Sequence, residues 1–153
     1  AERADDIDVI RPHSHARDVT RHVTELPAEF AVERADDHCI VGGPSGIFVV
    51  GRSEGELNRD AERTTVLAHE VRTLLSACMA WVPFVDPLLV VPAGVLGSVD
   101  SSTACTVIEP SMLPAALTTG RGVLDEAQLD RLPDHLARVA RELRTGARYL
   151  DPA

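Results

Sequence analysis

Asp36-Asp37-His38-Cys39-Ile40-Val41-Gly42-Gly43-Pro44-Ser45-Gly46-Ile47-Phe48-Val49-Val50-Gly51-Arg52 comprises an acidic pair, an apolar run, a Gly-Gly-Pro-Ser-Gly segment and a second apolar run. Residues 39–41 and 47–50 are rich in β-branched side chains and have no helical period, which predicts the two strands of a β-hairpin. Both runs are continuously apolar rather than alternating, so both strands should be covered on both faces. Residues 42–46 supply the turn. A hairpin buried on two faces needs layers above and below it, and this points to an α/β domain.

Working outward, residues 51–58 read as a polar loop and 60–79 as the clearest helix. Leu67, Val71, Leu74, Leu75 and Cys78 fall at i, i+4, i+7, i+8 and i+11, with Asp60 and Glu62 near the N-terminus. Residues 82–85 and 88–91 are extended apolar runs separated by an Asp86-Pro87 turn. After a loop at 94–102, residues 103–108 form a β-branched strand. Ser111 is placed to cap a short helix through Leu117, ended by Gly120. Asp125 and Gln128 have the spacing of a capping box. The stripe Leu129, Leu132, Leu136, Val139, Ala140 and Leu143 follows; Pro133 either kinks it or starts a second helix, and Gly146 ends it.

Upstream, residues 30–32 are a short strand candidate. Residues 16–26 suit a helix with Val19, Val23 and Leu26 on one face, capped by Ser14 and stopped by Pro27. The expected organisation is a flexible arm at 1–13, one domain at 14–148 and a loose tail at 149–153. Its centre is a mixed β-sheet flanked by helices. Glu-Arg-Ala-Asp-Asp occurs at 2–6 and again at 33–37, too short a match to define a repeat.

Composition narrows the chemistry. The 153 residues suit one domain with an aliphatic core, since aromatics make up only 3%. A net charge of −9 rules out a dispersed basic surface for nucleic acid. All fifteen basic residues are Arg, which excludes Schiff-base, P-loop and other lysine-dependent mechanisms. Cys39, Cys78 and Cys105 lie far apart in apolar surroundings, as expected of free thiols in a reducing, cytoplasmic setting. Residue 1 is Ala, which leaves room for an upstream segment. Pro83, Asp86, Pro87 and Pro92 interrupt the apolar stretch 77–97, so no membrane segment is expected. His13, His15 and His22 suit an exposed helix start better than a metal site. Trp81 and Phe84 are expected in the core and His69 on the surface. Arg138, Arg141, Arg144 and Arg148 form a helical strip, expected to be solvated and paired with Glu142. No Gly-x-Gly-x-x-Gly, P-loop, Gly-x-Ser-x-Gly or His-Glu-x-x-His occurs.

From Asp37 to Val50 the chain resembles the nuclease-related domain (NERD) family. That family's hallmark is Asp-His, about three apolar residues, a Gly-Pro-Ser/Thr-Gly turn and a Val-Phe-Val-type strand; here the turn has one extra Gly. The similarity extends over about 14–148. It implies a restriction-endonuclease-like fold. In such nucleases a carboxylate at one strand start and another at the next strand end hold Mg²⁺ over the scissile phosphate, and a Lys two residues on offsets phosphate charge.

Carried over, the resemblance makes Asp37 the first carboxylate, His38 its neighbouring histidine and Glu25 the family's helical Glu. The second carboxylate falls at Gly51 and the lysine at Ser53, so both groups are lost. Glu54 or Glu56 would have to supply a new metal ligand and Arg52 a phosphate contact. Period-two alternation aims Arg52 at the opposite sheet face. The expectation is therefore a degenerate, catalytically inactive module that binds or regulates, with no cofactor. Its partner is expected to be a protein or a second copy rather than nucleic acid. The alternatives are an Mg²⁺-dependent nuclease with a rearranged site built on Asp37 and Glu54, and a structural domain of a larger assembly.

Overall fold

The structure, a computed structural model, describes residues 26–53, 55–93, 105–119 and 122–149. The expected arm, nearly all of the first helix, Glu25, Glu54, the loop at 94–102, Gly120 and the end of the tail lie outside them. The described strands are β1 (Ala31–Ala35), β2 (His38–Gly43), β3 (Gly46–Arg52), β4 (Val85–Val90) and β5 (Thr106–Ile108). They form one mixed sheet in the order β1-β2-β3-β4-β5. The β1–β2 and β2–β3 pairings are antiparallel; β3–β4 and β4–β5 are parallel. Parallel neighbours require a crossover, and α1 (Leu57–Leu75) provides it between β3 and β4. A 3₁₀ turn (Pro110–Met112) leads into α2 (Leu113–Thr118), and α3 (Glu126–Tyr149) closes the described fold.

The hairpin is as apolar in space as in sequence. Every residue of β2 is buried. On one face Ile40, Ile47 and Val49 pack with Val71 and Leu75 of α1 and with Leu132, Leu136 and Val139 of α3. On the other, Val41, Phe48 and Val50 meet Leu113 and Leu117 of α2, joined by Leu26 and Phe30. The turn is tighter than expected. Gly43 pairs with Gly46, so only Pro44 and Ser45 connect the strands. Gly42 serves packing instead: a Cβ there would lie 2.7 Å from Leu132 Cδ2, so a side chain at 42 would force Leu132 of α3 to shift. The turn also ties elements together. The Ser45 hydroxyl donates to the Leu117 carbonyl, and the Val123 N–H donates to the Pro44 carbonyl at 2.7 Å.

Several boundaries move for identifiable reasons. Gly51 and Arg52 belong to β3 rather than a loop, because pairing with β4 continues to Arg52↔Val90. α1 starts earlier and stops sooner than the expected 60–79. Asp86-Pro87 is not a turn: β4 runs through it. Pro87 faces Val49 of β3, whereas pairing with β5 starts only at Leu88, so the missing N–H falls outside that ladder. Ser111 lies within the 3₁₀ turn and caps nothing. The Asp125–Gln128 capping box does form, with reciprocal 2.8 Å bonds. α3 then continues through both Pro133 and Gly146. The buried stripe on either side of exposed Pro133 outweighs the one lost hydrogen bond.

Trp81 and Phe84 are not core residues; they are 55% and 68% exposed. In this connection Val82 and Val85 turn inward instead, while Arg72 holds the Val82 and Pro83 carbonyls from α1. His69 is exposed as expected. Burial pushes the Cys105 thiol up to about 11 and raises that of Cys39, so both behave as small apolar groups. Among the described residues no helix is long and apolar enough to cross a membrane.

Leu136 is fully buried where α3 meets the sheet. Leu136→Ala is expected to lower unfolding free energy by about 2–5 kcal/mol in urea titrations. Phe84→Ala should change it by no more than about 0.5 kcal/mol.

Candidate functional site

The end of β3, the β1–β2 turn and the first turns of α1 converge on a small cleft of about 110 Å³. It is lined by Asp37, His38, Arg52, Asp60, Arg63 and Thr64. The β1–β2 connection is a two-residue turn, since Ala35 pairs with His38. Asp36 takes a left-handed φ of 60°, which Asp tolerates better than most side chains. This turn presents Asp37 outward while His38 starts β2 and points inward.

His38 is buried, and both ring nitrogens have partners. Nδ1 lies 2.8 Å from Asp37 Oδ1, and Nε2 lies 3.0 Å from the Thr64 hydroxyl. That hydroxyl is also 2.9 Å from the Asp60 carbonyl. It has one proton, so the bonding depends on the ring. A neutral ring donates through Nδ1–H to Asp37 and accepts at Nε2 from Thr64. A protonated ring donates through both nitrogens and turns the Thr64 hydroxyl toward the Asp60 carbonyl.

Burial lowers the His38 pKa below 6.5, outweighing the opposing pull of Asp37. For Asp37, burial acts to raise the pKa, but His38 and then Arg63 overcome it, and the net shift is downward. Near neutral pH the pair is therefore a neutral imidazole beside an ionised carboxylate.

His38 stands one register step beyond the Cys39↔Val50 pair, directly across from Gly51. A Cβ at position 51 would lie 2.7 Å from His38 Nε2 and 2.7 Å from Thr64 Oγ1. The space for a side chain at the end of β3 is occupied by the His38–Thr64 hydrogen bond. Two residues on, the Ser53 hydroxyl donates to Asp60 Oδ2 at 2.8 Å, and its N–H donates to the Val90 carbonyl. Arg63 spans the two carboxylates, one terminal nitrogen 3.5 Å from Asp37 Oδ2 and the other 4.0 Å from Asp60 Oδ1.

Of the residues singled out in the sequence, Asp37, His38, Gly51, Arg52 and Ser53 all come to this corner. Arg52, at the end of β3, is also among the residues that line the cleft. Glu56 pairs with Arg59 at 3.4 Å instead. Asp60, Arg63 and Thr64 were not anticipated as site residues. Their i, i+3, i+4 spacing, one face of α1, was the available signal.

A divalent metal does not fit the described residues. Gly51 has no donor, the Ser53 hydroxyl is committed to Asp60, and both carboxylates share a guanidinium. No group of three or more His, Cys, Asp or Glu side chains among them could hold a metal ion. No protein-family model, curated protein or solved structure matches the chain.

Gly51→Ala should cost about 1–3 kcal/mol in urea titrations, because the new methyl displaces the His38–Thr64 pair. Combined with Thr64→Ala, its effect should fall short of the two single costs summed.

The depressed His38 pKa sets a pH window. As pH falls below 6.5, the unfolded chain takes up a proton that the folded chain refuses, so stability declines until the folded-state pKa is passed. Comparing denaturation midpoints at about pH 7 and about pH 5, the decline should be smaller in His38→Gln.

Proposed function

We propose that the chain is a nuclease-related, restriction-endonuclease-like domain that has lost phosphodiester chemistry and serves as a binding or regulatory module. The element order supports the family reading: an Asp-His hairpin, a long helix, an apolar strand with an early proline, a β-branched strand and a Leu-rich helix. The observation that carries the loss of catalysis is at Gly51. The resemblance puts the second carboxylate there, yet His38 and Thr64 already occupy its space. A carboxylate side chain at 51 would force the packed His38–Thr64 pair to shift.

Arg63 reinforces this reading, since a cation of the chain itself already lies against both Asp37 and Asp60. Arg cannot deprotonate to act as a base. The net charge of −9 favours a protein partner over nucleic acid.

The purified chain, incubated with plasmid or single-stranded DNA and Mg²⁺ or Mn²⁺, is expected to leave the substrate intact. Calorimetric titration with Mg²⁺ should show no saturable site. Cleavage that disappears in Asp37→Ala would overturn the assignment.

A further inference from the structure

Beside the small cleft, and sharing Asp37, His38 and Arg63 with it, runs an open groove of about 750 Å³. One wall is α1. Arg59, Glu62, Val66, Glu70 and Leu74 line it, a stripe of about 22 Å at 1.5 Å per residue. The end of α3 forms the opposite wall, and the β1–β2 turn closes the groove beside Asp36.

The floor is apolar. Leu67, Leu74 and Leu143 rest on the core but are only partly covered. Val66 is 59% exposed. The rim carries more negative charge than its own cations offset. Arg59 pairs with Glu56, Arg63 with Asp37, and Arg144 donates to the Arg34 carbonyl. Asp36, Glu62 and Glu70 are exposed and have no hydrogen bond or ion pair among the described residues.

We propose that this groove docks an amphipathic helix of a partner protein, its apolar stripe on Val66, Leu67, Leu74 and Leu143 and its basic side chains on Asp36, Glu62 and Glu70. The length suits about four helical turns, longer than a compact small molecule spans. A helix laid in a groove uses this combination of apolar floor and charged rim. The acidic rim selects basic flanks and repels nucleic acid. The inference rests on the reading of the domain as a binding module and names its partner class.

The test uses the full chain and a fluorescein-labelled, helix-forming peptide of about 16 residues. The peptide has Leu at i, i+4, i+7 and i+11 flanked by Arg; a counterpart carries Glu in place of Arg. Fluorescence anisotropy should show saturable binding of the basic peptide and binding at least about tenfold weaker for the acidic one. Glu62→Arg with Glu70→Arg, both at exposed positions, should reverse that preference, which a misfolded variant could not do. Val66→Ser should weaken binding of the basic peptide.

Equal binding of both peptides, or no change in the charge-swapped variant, would overturn the proposal. So would a dimer by sedimentation that the same variant dissociates, because a second copy then fills the groove. A chain that neither binds the peptide nor cuts DNA overturns the groove while leaving the inactive-domain reading intact.

Discussion

β2 is buried along its whole length, and only Arg52, the last residue of β3, is not fully covered. Aliphatic side chains on both faces of a strand pair must be removed from water on both sides. That requirement places α1 and α3 over one face and α2 over the other. It also accounts for the glycine at position 42, where the Leu132 and Leu136 side chains of α3 rest against the strand. The hairpin turn bonds both to the end of α2 and to the approach to α3, so the two layers are pinned at the same corner.

The candidate site follows from the opposite edge of the same hairpin. His38 begins β2, and Gly51 stands across from it near the end of β3. The imidazole fills the space above this pair and bonds forward to α1 through Thr64. Asp37 and Asp60 are left flanking a guanidinium rather than converging on a shared point. A cation of the chain itself thus lies between the two carboxylates at this corner. The uncompensated acidity lies farther along, on the rim of the groove between α1 and α3.

Much of the fold was legible in the sequence because its signals are local and strong. The β-branched runs, the α1 stripe and the Asp125–Gln128 box each depend on residues within one element. Where the sequence misled, a distant partner had decided the outcome. Gly51-Arg52 looked like a loop until β4 extended the pairing, and Asp86-Pro87 looked like a turn until β3 supplied a ladder. Trp81 and Phe84 looked like core by side chain alone, but Val82 and Val85 hold the inward positions.

The site divides in the same way. The sequence alone determined that position 51 lacks a carboxylate, that position 53 lacks an amine, and that Asp37 and His38 stand side by side, because these are facts of composition and order. Only the tertiary structure decided that Gly51 is occupied space rather than an empty place, and that Asp60, Arg63 and Thr64 belong to the same corner. Those residues are separated from Asp37 by more than twenty positions. They reach it because the α1 crossover must return over the hairpin's buried face, and burial of apolar surface, not any local signal, brings them together.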